Sequence, residues 1–199
     1  MAGAFPISTA KFTSLGIKSI QNTIISKSVS GKKLARQIDG QRWAFTIQII
    51  TAKRSDVYGE LMAFIVKQRS GKENFTIVPP EITDARGTAS GTPNGTASAG
   101  ATSITLAGTG TGTLKAGDFI KFASHDKVYM VVADQSDIST GSLTIEPPLT
   151  TAIISEDITY DNVPFTVHLT NDIQEFGAVG NDKDGNLLYQ FELDVEETL

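Results

Sequence analysis

The side chains able to do chemistry are few and poorly spaced for it. The chain has two histidines, His125 and His168, 43 positions apart, and no cysteine. A zinc site needs three or four ligands at a recognisable spacing, and a serine hydrolase needs its nucleophile on a strand-to-helix elbow. Neither pattern is present, so the two histidines read as a turn residue and a strand residue. Residues 181–186 (NDKDGN) open like a calcium loop but lack its second half and closing glutamate, and they read as a hairpin turn. The glycines of residues 108–113 (GTGTGT) do not follow a strand and open a helix, as a phosphate cradle requires. Asn94-Gly95-Thr96 matches a glycosylation acceptor by composition alone, since no secretory signal is visible. Carboxylates are plentiful, but no pair can be set face to face from the sequence. It therefore assigns no catalytic residue, metal ligand or cofactor, and the chain is not expected to be an enzyme.

Two clusters suit binding rather than reaction. Lys27, Lys32, Lys33, Arg36 and Arg42 lie on or beside a polar, basic segment, residues 32–40 (KKLARQIDG). They have the charge to neutralise phosphates. The chain's isoelectric point near 5.0 and the lack of interleaved aromatics favour a solvated or subunit-facing hairpin arm. Phe119, Phe122 and Tyr129 would suit a stacking platform on a small barrel. Alternation places Phe119 opposite Phe122, so at least one of them is core, and core is the favoured reading for both.

The elements that position these residues are mostly strands. Residues 16–29 are rich in Ile, Val, Ser and Thr, as strands are, and Ser30-Gly31 breaks them. In residues 41–50, Trp43, Phe45, Ile47 and Ile49 alternate with Arg42, Ala44, Thr46 and Gln48, a strand with one buried face. A helix follows, with Ser55 or Asp56 as its cap and Gly71 after its end. Val57, Leu61, Phe64 and Ile65 form its apolar stripe, joined by Tyr58 and Met62.

Residues 87–113 hold no charged and no aromatic side chain, and 23 of the 27 are Gly, Thr, Ala or Ser. Such a stretch buries little apolar surface and is too long for an ordinary connection. It lies between two similar strand ends, FTIVPP (75–80) and LTIEPP (143–148), each stopped by prolines that offer no ladder N–H. Residues 103–106, 118–122, 127–132 and 143–145 read as short strands of a small barrel or sandwich, leaving about 86–101 as a tether. Residues 162–169 and 187–195 read as further strands, 176–178 as a loop, and Asp184-Gly185 or Gly185-Asn186 as a tight turn. The fold expected is mainly β: a discontinuous sandwich with one flanking helix (1–86 with 158–199) and an inserted small β-barrel (87–157).

At 199 residues, 40% hydrophobic and 20% charged, the chain is long enough to bury real cores. No apolar run approaches the roughly 20 residues of a membrane helix, and residues 1–12 lack the pattern of a secretory leader. The net charge of −5 is unevenly spread. Residues 1–86 carry 13 Lys/Arg and 6 Asp/Glu, residues 87–157 carry 3 and 7, and residues 158–199 carry 1 and 9. The basic and acidic parts attract one another either within one domain or head to tail between copies, and the sequence leaves both open.

The order of motifs adds a further reading. A Ser-Gly hairpin ends in GQRWAFTI (40–47), a helix ends in IVKQRSGKENFTIVPP (65–80), and a Gly/Thr-rich passage leads to LKAGDFIKF, KVYMVV and TIEPPL. This resembles distal tail proteins of long, non-contractile-tailed bacteriophages, of the type with an OB-like insertion, over nearly the whole chain. The resemblance implies a tail-tube-like main domain forming a homo-hexameric ring at the tail's far end. That ring joins the tube protein to baseplate hub or tail-tip proteins, with tail fibres as further neighbours, and leaves a channel through which DNA passes without specific binding. It implies a virion protein of the tail tip, made in the host cytoplasm, with no cofactor and no membrane span. Residues 29–43 would line or seal the ring, helix 56–69 would pack beside the sheet, and the insert would face outwards. Lys32, Lys33, Arg36 and Arg42 would meet Asp172, Glu175, Asp182 or Asp184 of a neighbour. The alternatives are a carbohydrate-binding module using Phe119 and Tyr129 of the insert, or a tail-tube or tail-terminator subunit.

Overall fold

The longest alternating run in the chain becomes its central strand. A computed structural model describes residues 3–6, 12–38 and 40–199, so Asp39 and much of the N-terminal segment read for a leader (1–2 and 7–11) lie outside the described residues. The strands are β1 (Phe12–Ile20), β2 (Thr23–Lys27), β3 (Lys33–Gln37), β4 (Arg42–Lys53), β5 (Phe75–Ile77), β6 (Pro93–Ala97) and β7 (Ser103–Gly108). After these come β8 (Phe119–Phe122), β9 (Val128–Val131), β10 (Ser142–Glu146), β11 (Ile153–Thr159), β12 (Phe165–Leu169), β13 (Gly177–Asn181) and β14 (Leu187–Glu197). Among the described residues the one α-helix, α1, is Gly59–Lys67. The protein is mainly β, with one short helix and a small barrel, as the sequence leads one to expect.

The chain divides into two compact units. Of the described residues, one unit holds 6, 12–38, 40–74 and 167–197, and the other holds 3–5, 75–166 and 198–199. In the first, the strand order is β1-β4-β14-β12, with β13 also paired to β14. β4 and β14 are antiparallel, with Phe45 opposite Val195 and Ile47 opposite Leu193. Phe45, Ile47, Ile49, Phe191, Leu193 and Val195 are all buried, because the two period-two patterns place their apolar residues on the same side of the sheet.

Helix α1 contributes Leu61 and Ile65 to this core, with Tyr58 just before it. Neither Ser55 nor Asp56 caps it. A π-helical turn, Arg54–Tyr58, precedes α1, with Lys53 at its start and no side-chain cap, and the Ser55 hydroxyl donates instead to Asp56 (3.2 Å). Nor does Gly71 end the helix. Arg69 and Ser70 take the left-handed backbone (φ 53° and 61°). Gly71 is needed for a different reason: a Cβ there would stand 2.6 Å from the Leu169 carbonyl oxygen of β12.

Residues 16–29 are not one strand, since residues 21–22 separate β1 from β2. The expected loop at 176–178 runs into β13, an exposed edge strand on β14. Its glycine-rich sequence gives no apolar alternation to read. The turn at Gly185 (φ 81°) closes this hairpin as expected.

In the second unit six strands close a barrel in the order β10-β7-β6-β11-β8-β9. Its core includes Ile104, Ile120, Phe122, Val131, Leu143 and Ile145. The reading of 86–101 as a tether does not hold. Pro93–Ala97 is barrel strand β6, paired with β7 on one side and β11 on the other. Its inward positions are small because the core is close there: a Cβ at Gly95 would lie 2.6 Å from Ile104 Cγ2. Just before β6 the chain pairs with residues 109–113 through a ladder of hydroxyls. Thr88 meets Thr113 (3.3 Å), Ser90 meets Thr111 (3.0 Å) and Thr92 meets Thr109 (3.1 Å). Backbone bonds Ser90 N–H to Thr111 O and Thr111 N–H to Ser90 O, both 2.8 Å, run beneath them.

Adding a methyl at Gly71 pushes against backbone rather than a movable side chain, and overpacking of this kind costs about 1–3 kcal/mol. The Gly71→Ala variant is expected to unfold at lower denaturant than the parent, followed by fluorescence of buried Trp43. An unchanged midpoint would show that the helix exit and β12 are not packed as described.

Candidate functional site

The arm β2–β3 is built by local rules and left uncovered by everything else described. Ser28 shapes its turn: its carbonyl accepts from Gly31 N–H (2.8 Å) and its hydroxyl from Lys32 N–H (3.1 Å). The register then sets Ile24 opposite Arg36, Ile25 opposite Ala35, Ser26 opposite Leu34 and Lys27 opposite Lys33. The last pair places like charges face to face, which weakens a hairpin. Every residue of both strands is exposed. Ile24, Ile25, Leu34 and Ile38 keep 56%, 57%, 53% and 60% of their surface accessible, so neither face of the ribbon is covered. A two-stranded hairpin of this kind is at best marginally stable in water.

The face of the β4–β14 pair opposite its core is polar and acid-rich. Glu192, Asp194 and Glu196 alternate with the buried residues of β14. Gln48 Nε2 donates to Glu192 (2.9 Å) and the Thr46 hydroxyl to Asp194 (2.7 Å), while Arg42 pairs with Glu196 (2.9 Å). On the core side Glu197 is buried, and its carboxylate accepts the Trp43 backbone N–H (3.2 Å).

The expected interface residues fall into two groups. Lys32, Lys33 and Arg36 stand exposed on the arm, and Asp172, Glu175 and Asp184 are exposed on the acidic segment. Arg42 and Asp182 already have partners in their own chain. Asp182 pairs with Lys53 (2.5 Å) and accepts both the Asn186 side-chain amide and backbone N–H groups of Asp184 and Asn186. The Lys53 ammonium, together with these amides, holds its carboxyl well below the usual carboxylate range. The same hydrogen bond raises Lys53. In the arm's sequence the cations stand out more than the isoleucines. The signal was there, in apolar residues at both odd and even positions of a strand otherwise full of lysine and serine.

In the barrel, Phe119 and Tyr129 are buried. Phe119 packs edge-on against Phe165 (centroids 5.5 Å apart) on the side away from Phe122, and Tyr129 sits in the barrel core against Phe122 (5.6 Å). Their ring faces are covered, whereas a stacking platform needs open ones. His125 is buried too, with Nδ1 sharing a hydrogen bond with the Tyr129 hydroxyl (2.7 Å) and Nε2 with the Thr151 hydroxyl (2.8 Å). The Tyr129 oxygen also meets Thr150 Oγ1 (3.1 Å). Burial pushes His125 below its ordinary value, opposed by the charge of Glu156. No group of three or more His, Cys, Asp or Glu placed to hold a metal occurs among the described residues. Nor is any described helix long and apolar enough to cross a membrane.

Residues 82–163 match the family model described as distal tail protein pb9, B domain. The matched span contains all six barrel strands, so the barrel is similar to that domain and consistent with an OB-like insertion. The match covers less than half of the chain and concerns the barrel alone. A comparison with curated proteins found no match to the chain.

The depressed His125 fixes a pH dependence for the barrel. The fold favours the neutral ring, so the associated stability is intact above about pH 6.5, the unfolded value. It is lost as pH falls through the lower folded-state value. Amide-exchange protection of Tyr129 and Val131 is expected to fall between neutral and mildly acidic pH, and to do so less in His125→Asn. Protection that is independent of pH in the parent would contradict the burial-driven shift.

Proposed function

We propose that this chain, which carries a domain like the B domain of phage distal tail proteins, is a ring-forming structural subunit at the far end of a phage tail. Six copies close into a ring that joins the tail tube to the baseplate or tail-tip hub and leaves a channel for DNA. The ring domain is built from the N- and C-terminal parts of the chain, and the barrel is an insertion between them.

The observation that carries this reading is the uncovered arm. Burying an isoleucine-sized side chain contributes about 1.5–3 kcal/mol, and the arm holds Ile24, Ile25, Leu34 and Ile38 in reserve. In a ring the arm of one copy is covered by the next. Lys32, Lys33 and Arg36 then face Asp184 and the acid-rich segment around it in the neighbour, which turns the uneven charge of the sequence into a head-to-tail contact. The face bearing Glu192, Asp194 and Glu196 suits a channel wall, because carboxylates repel a phosphate backbone and leave passing DNA unheld.

Gold-labelled antibody to this chain is expected to decorate one end of the tail in negatively stained particles, and the purified protein is expected to form single rings that salt loosens. Label along the whole shaft, with purified protein growing into long stacked tubes, would instead identify a tube subunit. Label absent from tails would overturn the proposal.

A further inference from the structure

Helix α1 carries an open groove of about 540 Å³ on its outer flank, lined by Arg54, Gly59, Met62, Ala63, Val66 and Lys67. Its floor is apolar, and Val66 keeps 66% of its surface exposed. The residues of this region that serve the core are others: Tyr58, Leu61 and Ile65. The two charged residues at the groove are both cations, and neither forms an ion pair among the described residues.

The same chain carries a segment of complementary character. Residues 171–176 (NDIQEF) expose Ile173 at 79%, with acidic Asp172 beside it and Glu175 two positions on. The segment is held at both ends. The Ser70 hydroxyl donates to the Asp172 carbonyl (3.2 Å), and Phe176 stacks on Phe191 (5.6 Å) and meets the edge of Tyr58 (6.4 Å). Inside it, Gln174 Nε2 donates to the Asn171 carbonyl (2.6 Å). An apolar side chain between two acids is thus presented by an anchored loop, so little ordering cost remains on docking. None of residues 171–176 lines the groove, so the loop does not fill it within its own chain.

We propose that the α1 groove receives the loop of a second copy of this chain, with Ile173 entering against Met62, Ala63 and Val66 while Asp172 and Glu175 face Arg54 and Lys67. The occupant is a second copy because both halves of the match, apolar and electrostatic, are present on one sequence. Groove and loop are different surfaces, so the contact is head to tail and generates a ring where the rotation closes. The inference rests on the ring reading and adds to it a contact that does not use the arm. A patch of this size falls short of the roughly 1,000 Å² of a self-sufficient interface, so it sets the register between neighbours while the arm supplies most of the buried surface.

The chain's lack of cysteine makes the test clean. Ala63→Cys and Ile173→Cys are prepared as separate proteins of different mass, mixed at low salt and mildly oxidised, which rules out a bond within one chain. The expected product is a mixed disulfide dimer in severalfold excess over either homodimer. Lys67→Glu in the first protein should cut its yield severalfold, and Glu175→Lys in the second should restore it. Rings in the microscope without a mixed disulfide would overturn the docking contact and leave the ring reading standing. A chain that stays monomeric by native mass spectrometry would overturn both.

Discussion

The rest of this structure depends on a hairpin that none of the described residues covers. A β-ribbon becomes stable by hiding one face, and β2–β3 hides neither, carrying isoleucines and a leucine into water beside two facing lysines. The sheet next to it is built the other way, with a continuous apolar face under α1 and a polar face whose carboxylates are each met by an amide, a hydroxyl or a guanidinium. One part of the unit is satisfied within the chain and the other is not, and that contrast points to assembly rather than to a solitary binding or catalytic role. The charge follows the same division: cations of the arm form no ion pair among the described residues, whereas Arg42 and Lys53, placed on the central strand, are neutralised by Glu196 and Asp182.

The barrel solves a different problem. Its first strand and the segment before it consist of residues with almost no side chain to bury, and they are held by backbone pairing topped with Thr–Thr and Ser–Thr hydroxyl contacts. Gly95 stands where Ile104 and Phe122 crowd the interior, so a larger residue would not fit. Among the polar groups buried in this unit, His125 is matched at both ring nitrogens by hydroxyls, which makes it a structural residue of the barrel and not a free base.

Much of this was legible in the sequence where one physical signal dominated. The alternation from Trp43 to Ile49, the apolar stripe of Leu61 and Ile65, the hairpin around His125 and the turn at Gly185 all appear where periodicity or turn chemistry places them. Strand β6 was not legible, because a strand whose inward residues are Pro and Gly has no apolar alternation to detect, and composition alone reads as a tether. Strand β13 was hidden for a similar reason, being an exposed edge of Gly, Ala and Val. The helix ends misled because the chain uses a π turn and two left-handed non-glycine residues, while Gly71 is spent on a close approach to β12. Of the proposed assembly surface, the charges could be read directly, whereas the apolar residues at odd and even positions of the arm gained their meaning only from packing that leaves both faces bare.

The most direct measurement replaces the arm. Residues 23–37 are exchanged for a short Gly/Ser turn, and the parent and armless chains are compared by native mass spectrometry at low salt, with Trp43 fluorescence confirming that both remain folded. Assembly through the arm requires a closed oligomer for the parent and a folded monomer for the armless chain. An armless chain that assembles to the same oligomer would contradict it.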